Sequence, residues 1–171
     1  MNLVIIETRD AELVWDISQT AEVRENVTND LWAQEADAVR AASVKLLVHN
    51  TGNHVLAVSI NGSCGGCFLF DQRQPGVYEV HTMLLPNCRG LSAIVAGRLA
   101  MKWMFALPGI IKLESFCPMN HREILFFALR CGFKRVETIV GGWIKNGVTF
   151  DLVRVEVFAD SHHFLQESPC L

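Results

Sequence analysis

The chain has 171 residues, half of them hydrophobic and 19% charged, with a formal net charge of −3. That length suits one domain with a substantial core, and the composition excludes a disordered chain. The slight acidity speaks against a general nucleic-acid binder, and no apolar run approaches the ~18 residues of a membrane-spanning helix.

Met1-Asn2-Leu3-Val4-Ile5-Ile6 is too short for a signal-peptide core and lacks a basic leader, so a soluble, cytoplasmic chain is expected. Leu3 to Glu7 predicts a first strand. Asp10 is placed to cap a helix with Leu13, Val14, Ile17 and Ala21 on one face. Asn29 or Asp30 is placed to cap a second, through Leu31, Trp32, Glu35, Ala36, Val39 and Arg40. Val44 to His49 and His54 to Ile60 read as two β-prone runs joined by Asn50-Thr51-Gly52-Asn53. Asn61-Gly62 marks a hairpin. The six cysteines are scattered and mostly in apolar segments, as expected of thiols in a reducing compartment. Cys64-Gly65-Gly66-Cys67 has the spacing of a metal or redox pair. A second pair is missing, however, and the glycines suit a bulge entering the strand Cys67 to Asp71, so no metal is expected.

Pro75-Gly76 turns the chain into Val77 to Leu85, where Glu79, His81 and Met83 share one face of a strand and Tyr78, Val80 and Thr82 the other. Pro86 ends the pairing. Asn87-Cys88-Arg89-Gly90-Leu91-Ser92 then opens a helix running to about Ala106, closed by Pro108-Gly109. A small-residue turn entering a helix leaves backbone N–H groups free at the positive end of the helix dipole, which suits a phosphate or pyrophosphate. Ile110 to Cys117 predicts a buried strand, and Asn120 to Arg130 a helix stopped by Gly132. Phe133 to Val140 and Val148 to Phe158 predict two strands around Gly141-Gly142 and Asn146-Gly147. The stretch from Ser161 to Leu171, with His162-His163, has no periodicity and reads as a tail. This order predicts an α/β mixed sheet with helices on both faces, as a single domain.

The order and its central residues resemble the GNAT superfamily of N-acetyltransferases over roughly Leu3 to Val157. The strand Tyr78 to Pro86 followed by Arg89-Gly90 is similar to the family's fourth strand and its Q/R-x-x-G-x-G/A loop, which holds the coenzyme A pyrophosphate. Ile111 to Cys117 followed by Asn120 resembles the fifth strand and the start of the next helix. Leu129-Arg130-Cys131-Gly132-Phe133 resembles a frequent Gly-Phe helix ending. Short, cysteine-rich GNAT-like proteins also occur in tailed bacteriophages, an origin that would place the chain in the host cytoplasm. The loop fits in two registers. One is Asn87-x-x-Gly90-x-Ser92 and the other Arg89-x-x-Ser92-x-Ile94; each lacks a glycine where a Cβ hinders close backbone approach.

The resemblance implies a twisted, mostly antiparallel sheet of about seven strands flanked by about four helices. It implies acetyl-CoA as cosubstrate without a metal, and direct attack by an amine of a small molecule or protein. Neither nucleic acid nor membrane is an implied partner, and the chain would act as a monomer or homodimer. By the same resemblance, the main chain of Met83, Leu84 and Leu85 binds the pantetheine arm and acetyl carbonyl. Arg89, Gly90, Leu91, Ser92 and Ala93 hold the pyrophosphate, and Asn120 and Phe127 contact the coenzyme. Asn120 followed by Glu123 equally fits a helix cap, and Phe127 a core position. Arg98 and Lys102 share a helix face that could neutralise phosphate.

Glu79 and His81 are the candidate bases. They are two residues apart on one strand, so their side chains leave the same face about 7 Å apart, and an imidazole titrates near neutrality. The alternative is that one of them pairs with an arginine such as Arg73. The family's usual acid, a tyrosine, has no counterpart, because Phe126, Phe127 and Ala128 occupy that region and Tyr78 faces away from Glu79. Cys117 and Cys131 are weak substitutes. A second reading therefore stays open, a GNAT-fold coenzyme A-binding or host-interaction protein that transfers weakly or not at all. Acceptor specificity is implied to sit in the first two helices and the loop between the last two strands. Asn29 to Ala42 and Gly141 to Gly147 carry no decisive charge signature there.

Overall fold

A computed structural model of the chain describes residues 2–161; the His162-His163 pair and Cys170 lie outside the described residues. Seven strands form one sheet, in the order β1-β2-β3-β4-β5-β7-β6. They are β1 (Leu3–Glu7), β2 (His54–Ile60), β3 (Ser63–Gln74), β4 (Val77–Leu84), β5 (Lys112–Pro118), β6 (Lys134–Lys145) and β7 (Val148–Phe158). All neighbours are antiparallel except β4 and β5. Six α-helices are described where about four were expected: α1 (Ala11–Gln19), α2 (Ala21–Val27), α3 (Asp30–Gln34), α4 (Asp37–His49), α5 (Leu91–Phe105) and α6 (Arg122–Arg130). None is long and apolar enough to cross a membrane.

The local signals act as their chemistry demands. Asp10 caps α1 by accepting from the Leu13 amide at 2.9 Å. Asn61 and Gly62 both take positive φ in the β2–β3 hairpin, the conformation a two-residue turn needs. The Cys64–Cys67 segment carries the bulge, with a register shift between Val58 and Ser59 of the facing strand.

Four expectations fail, each for a physical reason. Val44 to His49 is not a strand but the second half of α4. Arg40, Val44 and Val48 recur at helical spacing on its buried face while Leu46 is 75% exposed. A short apolar run cannot distinguish the two periods, and packing against α1 decides. The helix expected from Asn29 or Asp30 to Arg40 is split. Asn29 caps α3 through the Trp32 amide at 2.8 Å, and Glu35 and Ala36 are extended before α4 begins. The first helix is broken likewise at extended Thr20, which leaves Ala21 exposed in α2. Gly141-Gly142 lies inside β6 at a register shift between Ile139 and Trp143, and only Asn146-Gly147 forms the hairpin turn.

The sheet separates two cores. One face packs Leu56, Phe68, Phe70, Tyr78, Leu113 and Val153 against α5 and α6. The other packs Val55, Cys67, Leu69 and Met83 against α1 and α4. Asn53, fully buried, joins α4 to β3: its Nδ2 donates to Leu47 O at 3.0 Å and its Oδ1 accepts from the Gln72 amide at 2.8 Å. On this second face α1 packs on β3, α2 on β4 and α3 on β6. Over β5 and β7 the same face is polar, with Lys112 between Glu114 (2.9 Å) and Glu156 (2.8 Å), and Arg154 bound to Glu156 and Glu137.

Candidate active site

The parallel pairing of β4 with β5 covers only Val77–Lys112, Tyr78–Leu113 and Glu79–Glu114. Beyond Glu79 the strands part. Ser115 Oγ, on β5, donates to Val80 O at 2.9 Å and marks the point of separation. Backbone groups alternate along a strand, so the N–H and C=O of Thr82 and Leu84 point the same way as Val80 C=O, into the gap. The Leu85 amide points the other way and is taken by Gly65 O at 3.0 Å.

The parting strands open a cleft of about 920 Å³. At one end Pro86–Cys88 forms a 3₁₀ turn and Gly90 begins α5 at φ 64°, ψ −128°. That backbone conformation excludes side chains in practice. It is the physical reason for a glycine there, and it favours the motif register read from Asn87. No side chain caps α5, so its first amides are free for an anion. Asn87 itself is turned back, its Nδ2 donating to Cys64 O at 2.8 Å. Helices α5 and α6 approach closely because position 97 lacks a side chain; a Cβ on Gly97 would stand 2.6 Å from Cys131 Sγ and 3.0 Å from Phe127 Cζ.

At the other end stand Glu79 and His81. Glu79 is held by Arg73 Nε at 3.3 Å, and His81 Nε2 lies 3.7 Å from its Oε1. Arg73 also binds Asp71 at 2.9 Å. The Glu79 side chain is 15% exposed and that of His81 42%, so the imidazole is the more open of the two. Above them the β6–β7 hairpin leans onto α2 and α3. Asp30 accepts from the Asn146 amide at 2.7 Å and the Gly147 amide at 2.8 Å, and Lys145 Nζ donates to Thr28 O at 2.8 Å. These bonds roof the cleft.

No family model matches the chain, and no curated protein matches it in sequence. Solved structures do match in shape. Spermidine N-acetyltransferase from Vibrio cholerae in complex with CoA and spermine superposes with a TM-score of 0.76 at 13% identity, over 95% of this chain and 97% of that one. The same enzyme in complex with manganese ions gives 0.73 at 13% identity, over 97% of both chains. The fold is that of the GNAT acetyltransferases. At such identity the likeness is one of architecture.

Within this GNAT fold, Glu79, His81, Met83, Leu84, Arg89, Gly90, Ala93 and Phe127 line the cleft. Leu85, Leu91, Ser92 and Asn120 stand outside its wall, Leu91 and Ser92 at the helix start beside it. Asn120 does not cap α6, which begins at Arg122 with His121 in the cap position and no side-chain bond. Its Oδ1 is buried without a partner among the described residues. Arg98 is spent on Arg130 O at 2.9 and 3.2 Å, closing the negative end of α6. Arg130 lines the cleft in its place.

Sequence reasoning missed Thr82, Ser115 and Arg130. Ser115 carried a signal, a hydroxyl in an apolar strand; Arg130 carried none. Tyr78 is buried in the opposite core. Cys117 and Cys131 line the cleft, but burial pushes both thiols up to about 12 and Cys88 up to about 11, so they are poor proton donors and poor nucleophiles at neutral pH.

Proposed function

We propose that the chain transfers an acetyl group from acetyl-CoA to an amine. The observation that carries this reading is the parting of β4 from β5 beyond Glu79, which opens a cleft running from the uncapped start of α5 to the Glu79–His81 pair. The amides of Leu91, Ser92 and Ala93, with Arg89 and Arg130, supply what a pyrophosphate and its neighbouring phosphate need. The backbone of Thr82 and Leu84, unpaired by β5, supplies hydrogen bonds for an amide-rich arm and for the thioester carbonyl.

His81 takes a proton from the incoming ammonium, directly or through water. Glu79, anchored by Arg73, orients the imidazole and stabilises the imidazolium. The freed lone pair attacks the thioester carbon; the C–N bond forms and the C–S bond breaks. The thiolate leaves, and the second proton lost by the nitrogen reaches it through solvent, since no tyrosine stands near and the cleft thiols hold their protons too tightly. Two measurements test the reading. Calorimetry with acetyl-CoA should give saturable heat; its absence at millimolar ligand removes coenzyme binding. Thiol release with a panel of primary amines should fall by about 10²–10⁴ in kcat/KM in His81→Ala, and unchanged turnover in both His81→Ala and Glu79→Gln removes the base assignment.

A further inference from the structure

The walls of the acceptor end are apolar. Val14, Val27 and Leu47 from α1, α2 and α4 face the cleft, with the indoles of Trp32 on α3 and Trp143 on β6. The polar groups these helices add are neutral, such as Ser18 and Asn26, while Arg73 of β3 brings a positive charge beside Glu79. Among the described residues, two carboxylates line the cleft. Glu79 is at the reacting end and already holds Arg73; Glu123 stands at the start of α6 beside Arg89. Two acidic side chains at the roof are committed elsewhere, Asp30 to the hairpin amides and Glu25 to Lys145 at 3.4 Å.

A polyamine would therefore place its second and third ammonium groups against hydrocarbon, with no carboxylate to receive them. An unpaired cation in such a wall is costly. A flat apolar group in the same place removes indole and aliphatic surface from water and gains from ring contact.

Resting on the transfer reading above, we infer that the acceptor is a primary monoamine with an aromatic tail, its nitrogen at Glu79 and His81 and its ring between Trp32 and Trp143. The indole faces could instead attract a second ammonium, so the two classes must be compared directly.

Binding is measured by calorimetry on the free and CoA-saturated protein with three probes, phenethylamine, ethylamine and spermidine. Phenethylamine should bind at least about tenfold more tightly than either of the others. Trp143→Ala and Trp32→Ala should each weaken phenethylamine several-fold and leave ethylamine unchanged. Asn26→Asp, nearly isosteric, should shift preference toward spermidine. Spermidine binding as tightly as phenethylamine, or phenethylamine no tighter than ethylamine, overturns the inference. A protein that gives no heat with CoA or acetyl-CoA yet still ranks phenethylamine first would remove the transfer reading and leave only an aromatic-amine pocket.

Discussion

Two glycines show how differently a single position can be constrained. At Gly66, φ is 116° and an added Cβ would lie 2.1 Å from Met83 O, inside the β3–β4 ladder. Gly66→Ala should cost about 3 kcal/mol or more, because both strain and a backbone clash oppose it; a melting temperature within a degree of the parent's would refute this. At Gly90 the space is open and only the backbone conformation resists. Gly90→Ala should cost about 1–3 kcal/mol and weaken acetyl-CoA binding, since relaxation of the strain rotates the first amides of α5. The cysteines divide similarly. Burial pushes the Cys67, Cys117 and Cys131 thiols up to about 12, whereas Cys64 is exposed. In a Cys170→Ser background, a thiol reagent at pH 8 should label Cys64 quickly and the buried thiols only at the rate of unfolding.

Elements are positioned by a few polar ties. Asp30, at the start of α3, closes the turn of a hairpin 116 residues away. Asp30→Ala removes both amide bonds and frees the roof. The expected outcome is a rise in KM for the amine with acetyl-CoA affinity unchanged; a parallel loss of both would show that the hairpin supports the whole cleft. The same element shows what was legible in advance. A cap at Asn29 or Asp30 could be read from the side chains and the residues after them, and Asn29 takes the role. The partnership of Asp30 with Asn146 and Gly147 could not, because nothing local requires it. Glu79 and His81 could be read as an unusual polar pair in an apolar strand, and Arg73 could be named as a partner for one of them; that it takes Glu79 followed only from the β3–β4 register.

Across the whole molecule, the second sheet face over β5 and β7 is held by charge. Burial alone would lower the Lys112 ammonium, but the hydrogen bonds it donates to Glu156 and Glu114, together with their charge, more than offset this and raise it above its ordinary value. A raised folded-state value means the contribution is fully present below about pH 10.5, the unfolded amine's range, and fades as pH rises through the higher folded value. Denaturant melts of the parent should lose stability on that alkaline limb. Lys112→Met should flatten the limb while lowering stability near neutrality, because Glu114 and Glu156 are then left with Arg154 alone. An unchanged alkaline slope would show that the cluster is not coupled to folding.

The residues alone decided whatever depends on local dihedral preference and on a single unambiguous period. These features are the Asn61-Gly62 hairpin, the Asp10 cap, the Gly90 entry to α5, the stop at Gly132 and the strand bearing Glu79 and His81. Tertiary structure decided whatever depends on a distant partner. Val44 to His49 became helix because α1 offered a complementary face. The cleft exists because β5 stops pairing with β4 after three residues. Part of its wall is apolar because α1, α2, α4 and β6, distant in sequence, turn Val14, Val27, Leu47 and Trp143 toward it. Local geometry acts over a few residues and leaves its mark in their order; a contact across the sheet is chosen by the competition among all surfaces that the folded chain brings together.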